Sequence, residues 1–305
     1  MKLFFKRRTV FITITIIFLC WGLWAAKEYK SWWHEKNYAY EYYINQCNIE
    51  NRDKEKYSDE WCNQIIESGN PVKPDTITVF FDLLGNYSLR YLQIIAPVFI
   101  IAMAIWNFHK DLKSENYKNI ITRMDYKKYI KKNLLNSLKC SIFLPIFLIY
   151  IFILAYLLSG HFDIKNTIDA YPGYLLIDSK YLNYFPTFIV VYLLNLFFHS
   201  IFWINIGYIL TKKGKNIIVT LVSSFLCYIS IFIVSELFIG GFLLSKLFGI
   251  VNAMNYLNLA NIWVYSDVDN IFILLLYGMF LVIISFLVLV ITYKDKEGVV
   301  IENEK

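Results

Sequence analysis

Six long stretches of this chain contain no Asp, Glu, Lys or Arg residue. Each has about 18 residues or more, which is what an α-helix rising 1.5 Å per residue needs to cross about 30 Å of hydrocarbon. The pattern therefore predicts six membrane-spanning helices. The six stretches are Thr9–Ala26, Tyr91–Phe108, Cys140–Gly160, Tyr181–Thr211, Asn216–Ser235 and Asn270–Tyr293.

The composition favours the same conclusion, since 57% of the residues are hydrophobic and 19% are aromatic, more than a soluble domain normally carries. We expect an all-α polytopic membrane protein that forms a single transmembrane domain over residues 1–305. The first stretch follows the basic triplet "KRR", as a signal peptide would. Because Trp24 stands where a cleavage site needs a small residue, we expect an uncleaved anchor instead.

A shorter apolar segment, residues 238–256, is a seventh candidate. Glu236, Lys246 and three glycines argue against a seventh span. A charge at the bilayer centre costs about 2.5–3.5 kcal/mol. We expect a re-entrant or interfacial helix pair, within an extracellular or re-entrant segment at residues 236–269, that dips into the membrane before the last span.

The distribution of basic residues predicts the orientation, because Lys and Arg next to spans stay on the cytoplasmic side. With both termini cytoplasmic, the inner segments hold 19 of the 30 basic residues and 7 of the 24 acidic ones. Residues 27–90 are then an extracellular loop region, and residues 109–139 are cytoplasmic. Anionic lipid suffices as counterion for short basic loops, so the net charge of +6 does not indicate a nucleic-acid partner. The C-terminal tail is nearly balanced in sign and hardly fixes its own side.

The extracellular loop region is rich in Tyr, Trp and Asn, and we expect short helices that rest on the lipid bilayer. A platform of aromatic side chains for a ligand is the alternative.

Cys47 and Cys62 are the two cysteines expected outside. In an oxidising compartment, a disulfide between them would close a loop of about 15 residues and stabilise the fold by about 3 kcal/mol. The alternative is two thiols in a bacterium that makes few disulfides.

The residue usage, with many Lys, Asn, Ile and Tyr, is typical of an AT-rich genome such as those of many Gram-positive bacteria. We therefore expect a multi-pass protein of a bacterial cell membrane.

The motifs of common enzymes are missing from the sequence. The four histidines fall in different segments, and no zinc-protease spacing, phosphate-binding loop or serine-hydrolase elbow occurs. We expect no catalytic residues, no metal site and no cofactor bound by this chain, and an enzyme is disfavoured.

Two polar residues of the predicted spans are candidates for a gate or a substrate contact. Glu236, at the outer end of the fifth span, is the one acidic residue counted within the spans, where an ionisable group suggests a function; reaching the interface or pairing with Lys246 is the alternative. His199, with Asn195 and Asn205 nearby, could hydrogen-bond across helices, and packing between helices is favoured over function there. Pro97 and Pro145 lie inside the second and third spans, where we expect kinks.

The segment "SENYKNIITRMDYKKYIKK", residues 114–132, lies between two of the predicted spans. As a helix it would be amphipathic, and a position on the surface of anionic lipid would explain this pattern.

The order of residues in this segment nevertheless resembles the cytoplasmic segment after the second span in ABC transporter permeases of the type 2 exporter family. The family pattern is Glu, a short spacer with Gly-Thr, a Lys-Asn-Ile/Leu-Leu-Thr-like helix, a Ser-Arg turn and an aromatic run with Lys. Here Gly-Thr is absent and "MDYKK" stands for the Ser-Arg turn. The matching positions are Glu115, Lys118, Asn119, Ile120, Ile121, Thr122, Arg123, Tyr129 and Lys132.

The resemblance implies a half-transporter without its own nucleotide site. Two permease copies, or this one with a sister permease, would pair in the membrane, and each would set its coupling helix into a groove of a separate ABC ATPase subunit that binds ATP. Lys and Arg would steer the docking, and apolar side chains would be buried anchors. The implied ATPase-coupling residues are Glu115, Tyr117, Asn119, Ile120, Ile121, Thr122, Arg123 and Met124.

The resemblance further implies export, and we expect an apolar or amphipathic substrate, such as a peptide antibiotic or a lipid, because the spans offer aromatics and few charges. Antibiotic resistance or immunity would be its role. The leading alternative is a non-transporting immunity or sensor protein whose outer loop binds a peptide. A secondary transporter is disfavoured because the sequence lacks internal repeats and paired intramembrane charges.

Overall fold

A computed structural model gives the fold and describes residues 7–49, 57–68, 74–112, 123, 125–162, 185–214, 216–250, 253–257 and 271–294. Within these ranges the regular elements are all helical. They are α1 (Arg7–Cys47), α2 (Asp59–Ser68), α3 (Thr76–Gly85), α4 (Tyr87–Leu112), α5 (Tyr126–Leu138), a 3-10 turn (Lys139–Ile142), α6 (Phe143–Ser159), α7 (Phe185–Thr211), α8 (Ile217–Ile233), a π-helix (Val234–Leu247), α9 (Ala253–Tyr256) and α10 (Ile271–Thr292).

Among the described residues, six helices are long and apolar enough to cross a membrane, which confirms the six predicted spans. In chain order they are α1, α4, α5 with α6, α7, α8 with the π-helix, and α10. The chain is therefore an all-α, multi-pass membrane protein. One end of the bundle carries a disulfide, and the other carries most of the lysines that the structure describes; we call these the disulfide end and the basic end. The cytoplasmic location of both termini stays a prediction.

The first span is longer than the sequence predicted. We expected a helix over Thr9–Ala26 followed by short helices, but α1 continues to Cys47 as one helix of 41 residues. The charges that begin at Lys27 do not stop it, because no Gly or Pro stands between Leu23 and Cys47. Its second half therefore continues as a helix beyond the charge-free stretch.

A disulfide joins Cys47, the last residue of α1, to Cys62 in α2, as the sequence predicted. The ring of Trp61 packs against Tyr43 of α1 and against Tyr57, with centroids 5.2 Å and 5.5 Å away. These contacts form a small core separate from that of the bundle. The covalent bond thus fixes α2 against the far end of the first helix.

The third span is interrupted by a change of helix type. α5 ends at Leu138, four residues follow in 3-10 geometry, and α6 begins at Phe143. Pro145 explains the position of the change, because proline has no N–H for the carbonyl four residues before it and its ring clashes with that carbonyl. The tighter turn draws residues 139–142 away from this clash.

The fifth span also departs from the prediction. We expected it to end at Ser235 and a dipping helix pair to follow, but the helix continues to Leu247 in the wider π geometry. Gly240 and Gly241 lie against Met254 of α9, and a Cβ atom on Gly240 would stand 3.0 Å from the Met254 Cα atom. The glycines therefore allow α9 to pack directly on the π-helix. Whether this pair dips into the membrane stays a prediction.

α3 is a short apolar helix that the sequence analysis did not separate from the loop region. The Asp75 carboxylate caps it by accepting a hydrogen bond from the Thr78 N–H at 3.0 Å. At the same end, the Thr76 and Ser159 hydroxyls are 2.7 Å apart, and the Thr76 N–H donates to the His161 carbonyl at 3.0 Å. These bonds hold α3 at the end of α6, inside the bundle.

Two close helix contacts in the bundle are made at glycines. A Cβ atom on Gly207 of α7 would stand 2.6 Å from the Ile101 Cγ2 atom of α4. One on Gly278 of α10 would stand 2.8 Å from the Asn195 Oδ1 atom of α7. Small residues let membrane helices approach closely, where dispersion supplies much of the attraction between them.

We predict that Gly278→Leu lowers the free energy of unfolding by about 1–3 kcal/mol, because the new side chain must displace the buried Asn195 and its neighbours. The melting temperature of the purified protein in detergent measures this. Met279→Leu, at the exposed neighbouring position, is the matched control and should melt like wild type. Equal melting temperatures for both variants would contradict the packing of α7 on α10.

Candidate functional site

The predicted ATPase-coupling residues lie almost entirely outside the described residues. This holds for Glu115, Tyr117, the run from Asn119 to Thr122, and Met124. Arg123 is helical and exposed, and the structure describes the chain again from Asp125 onward. Most of the described part of the expected coupling segment is therefore α5.

α5 is an amphipathic helix at the basic end. Its N-terminus is capped by Asp125, whose carboxylate accepts a hydrogen bond from the Lys128 N–H at 3.3 Å. Buried and exposed positions alternate with the helical period, so one side faces the bundle and the other is free. The buried residues are Tyr126, Tyr129, Ile130, Leu134 and Ser137, and the exposed cations are Lys127, Lys128, Lys131 and Lys132.

The buried side of α5 packs on an aromatic cluster. The Phe108 ring of α4 stacks on Tyr208 of α7, with centroids 4.5 Å apart. Phe108 also meets Tyr129 of α5 at 6.2 Å and Tyr293, just after α10, at 5.8 Å. We call these four residues the basic-end cluster; they join the basic helix to three different spans.

A chain of hydrogen bonds runs beside the basic-end cluster. The Ser137 hydroxyl donates to the Ala104 carbonyl of α4 at 2.7 Å. Its oxygen lies 2.6 Å from the Tyr208 hydroxyl oxygen, and since Ser137 has a single proton, Tyr208 donates in this pair. The Tyr293 hydroxyl donates to the Tyr208 carbonyl at 2.7 Å. The ends of α4, α5, α7 and α10 are thus linked by short buried bonds.

Lysine also ties two spans together at this end. The Lys212 ammonium, one residue past α7, donates to the Thr292 carbonyl at the C-terminus of α10, at 3.3 Å. A cation is favourable there because the last carbonyls of a helix carry partial negative charge.

The basic-end cluster connects α5 to several spans. α5 continues into the third span, its inner side is bonded to the second and fourth spans, and its outer side is exposed. A partner that moved α5 would therefore move several spans together. The cluster was not predicted from the sequence. An aromatic residue nevertheless stands within four residues of the lysine that follows the second, fourth and sixth spans. Such residues are typical of a lipid-facing aromatic belt, whereas here they turn inward.

His199 is buried in α7. Its Nδ1 atom lies 2.9 Å from the Asn195 carbonyl oxygen of the same helix, and its ring packs near Trp203, with centroids 6.4 Å apart. The bond that crosses helices is made by Asn205, whose amide donates to the Ser285 hydroxyl of α10 at 3.0 Å. A gating role for His199 stays a prediction, while Asn205 has a packing role.

Glu236 is half-buried in the first turn of the π-helix. Its neighbour Ser235 donates to the Leu257 carbonyl at 3.3 Å and so joins the π-helix to the segment after α9. The Lys246 ammonium lies 5.9 Å from the centre of the Phe242 ring. In the part of the chain that the structure describes, no three His, Cys, Asp or Glu residues are grouped as metal ligands would be. A gating role for Glu236 stays a prediction.

Asp82 of α3 is a titratable group that the sequence analysis did not single out. It is the one charged residue of α3, and it stands outside the membrane-spanning helices. Burial raises the pKa of Asp82 to about 6, and the positive charge of Lys36 on α1 partly opposes this. The Lys36 ammonium lies over the rings of Trp32 and Trp33, at 5.3 Å and 5.6 Å. Asp82 therefore changes charge in a mildly acidic range.

Comparison of the chain with protein-family models gives no match, and comparisons with curated proteins and with solved structures give none. The function is therefore inferred from the residues of the chain and their geometry.

We predict that the hydrogen bond between the Ser137 and Tyr208 hydroxyls stabilises the packing of α5 on the bundle. Tyr208→Phe should lower the free energy of unfolding by about 0.5–1.5 kcal/mol, the usual contribution of one hydrogen bond. A double-mutant cycle with Ser137→Ala, read from melting temperatures, isolates the pair. Tyr156→Phe, at an exposed position of α6, should change nothing. Additive effects of Tyr208→Phe and Ser137→Ala would show that the two hydroxyls are not bonded.

We predict that Asp82 makes stability depend on pH. The pKa of Asp82 is raised in the folded state. The folded protein therefore keeps its full stability below about pH 4 and becomes less stable as the pH rises through about 6. Asp82→Asn should therefore stabilise the protein at pH 7.5 by at most about 3 kcal/mol, and have little effect at pH 4. Melting curves at the two pH values test this. Glu41→Gln, which removes an exposed carboxylate from α1, is the control, and an equal response of both variants would contradict the prediction.

Proposed function

We propose that this chain is the membrane-spanning permease half-subunit of an ATP-driven exporter. A separate ATPase subunit would bind the basic end, and a second permease copy or a sister permease would complete the transporter. Permeases of the type 2 ABC exporter family, which the segment Glu115–Lys132 resembles, work in this way.

The observation that carries the proposal is the arrangement of α5. It contains the last residues of the segment that resembles the family's coupling segment, its four lysines are exposed, and it forms the first part of the third span. A helix that only rested on lipid would need no bonded link to several spans. The Ser137–Tyr208–Ala104 bonds provide such a link.

The charge of α5 fits a protein partner with an acidic groove. Complementary charge speeds the encounter of two proteins, whereas buried apolar groups supply most of the binding energy. Ile120, Ile121 and Met124 are the apolar groups that the resemblance assigns to the groove. Since the sequence holds no phosphate-binding loop, the ATP would be bound and hydrolysed by the partner.

The same proposal places the basic end and both termini in the cytoplasm of a bacterium, with the disulfide outside its cell membrane. Disulfides persist in oxidising compartments, and basic residues are retained on the cytoplasmic side. An apolar or amphipathic substrate, such as a peptide antibiotic or a lipid, suits spans with few charges.

A second candidate function is favoured by the disulfide end. Trp32, Tyr38 and Tyr42 are exposed on the part of α1 that extends past the charge-free stretch, and the Cys47–Cys62 bond holds α2 at the end of this part. Exposed aromatic side chains on a rigid support are typical of a peptide-binding surface. An immunity or sensor protein would use this surface and need no ATPase.

We predict that an ATPase subunit co-purifies with this chain from mild detergent, and that Ile120→Asp abolishes both co-purification and export. The reason is that a carboxylate cannot be buried in an apolar groove without a large desolvation cost. The measurement is the ATPase activity retained on the affinity-purified chain, together with export of the substrate or resistance to membrane-active peptides.

Ile120→Leu is the matched control, because it keeps an apolar side chain of the same size, and it should retain the ATPase. Glu115→Ala should also abolish transport while the protein still inserts. A chain that purifies alone, or unchanged export in Ile120→Asp and Glu115→Ala, would favour the immunity or sensor function.

A further inference from the structure

A cavity of about 300 Å³ lies in the disulfide half of the bundle, between the third and fourth spans. Leu148, Ile149 and Phe152 of α6 form one wall. The cavity is closed at the back by Phe80 of α3, whose ring meets that of Phe152 in an edge-to-face contact at 5.4 Å.

The opposite wall belongs to α7 and consists of Pro186, Ile189 and Leu193. Pro186 is the second residue of its helix, where a backbone N–H would have no partner within the helix. Since proline has no N–H, the wall presents no unsatisfied donor at this position. All seven lining residues are apolar.

The cavity opens sideways toward the region that lipid occupies. Ile149 on its rim is 49% exposed, and the neighbouring Ile153 and Val190 are 51% and 56% exposed. All three stand on helices long and apolar enough to span a membrane. Their exposed side chains therefore face hydrocarbon, and the cavity is continuous with it.

The chemistry of the walls determines what can fill this space. Ordered water needs two or more polar partners, and the lining offers none, so water would not remain. An empty space would lose the dispersion contacts of all its lining atoms. A flexible hydrocarbon chain meets neither difficulty, and it is present at high concentration at the opening.

We propose that this cavity is a binding site for one acyl chain of a membrane phospholipid, which enters from the bilayer between α6 and α7. The chain contacts protein on three sides there, so it exchanges more slowly than lipid that only touches the outer surface of a span. The proposal does not depend on the proposed transport function.

The position of the site in the bilayer agrees with such a ligand. Ser159 lies seven residues after Phe152 on α6, which is about 10 Å farther toward the disulfide end. There the Thr76 and Ser159 hydroxyls and the exposed His161 form a polar group. The polar head of the lipid would lie at this level while its chain reaches down to Phe80.

The test is photo-crosslinking with phosphatidylglycerol that carries a diazirine in the middle of one acyl chain. The full-length protein is reconstituted in nanodiscs with a small fraction of this probe, and labelled residues are located by mass spectrometry. We expect labels concentrated at residues 148–152 and 189–193, and loss of these labels when unlabelled phosphatidylglycerol is added in excess.

Ile189→Trp fills the cavity and should abolish the labels at residues 148–152. Leu193→Phe adds less volume to the cavity and should reduce the same labels. It serves as the second variant if the melting temperature shows that Ile189→Trp disturbs the fold. Leu226→Trp, at an exposed position of α8, is the matched control and should leave them unchanged. Labels spread evenly over the lipid-facing residues, labels that no competitor removes, or labels unaffected by either filling variant would overturn the proposal.

Discussion

The absence of water from the bilayer core is the constraint on which this structure depends. Each backbone N–H and C=O must be bonded within the protein, and a helix achieves this inside one segment. Polar side chains obey the same rule. Thr15, Ser200, Thr211 and Ser224 each donate to the carbonyl four residues earlier in their own helix, at 2.7–2.8 Å. Polar residues are therefore tolerated in the spans without a partner from another helix.

Where polar groups do bond across helices, they mark positions at which helices are fixed to each other. Asn205 with Ser285 joins the fourth and sixth spans, and Ser137 with Tyr208 joins the third and fourth. At the disulfide end, Thr76 with Ser159 holds the short helix α3. The third span makes such bonds at both of its ends. Its first half, α5, borders the basic-end cluster, and its second half, α6, borders the apolar cavity.

The number of spans could be predicted from the sequence because charge-free length alone decides whether a helix can cross the bilayer. The disulfide could be predicted because only Cys47 and Cys62 were expected outside the spans. The extent of α1 could not, since charged residues end a membrane-spanning stretch without ending a helix. The π-helix depends on how Gly240 packs on Met254, and the basic-end cluster brings together residues from 108 to 293. Such contacts are set by the packing of distant segments, which local patterns do not record.

The 3-10 turn at Lys139–Ile142 has a geometric consequence for the lysines of α5. A 3-10 helix advances about 120° per residue and an α-helix about 100°, so four residues overwind the third span by about 80°. If the span were α-helical throughout, α5 would be rotated by this angle relative to α6, and some of its lysines would turn from solvent toward the bundle. The helical phase of the charged surface is thus set by four residues, Lys139 to Ile142, that carry one charge among them.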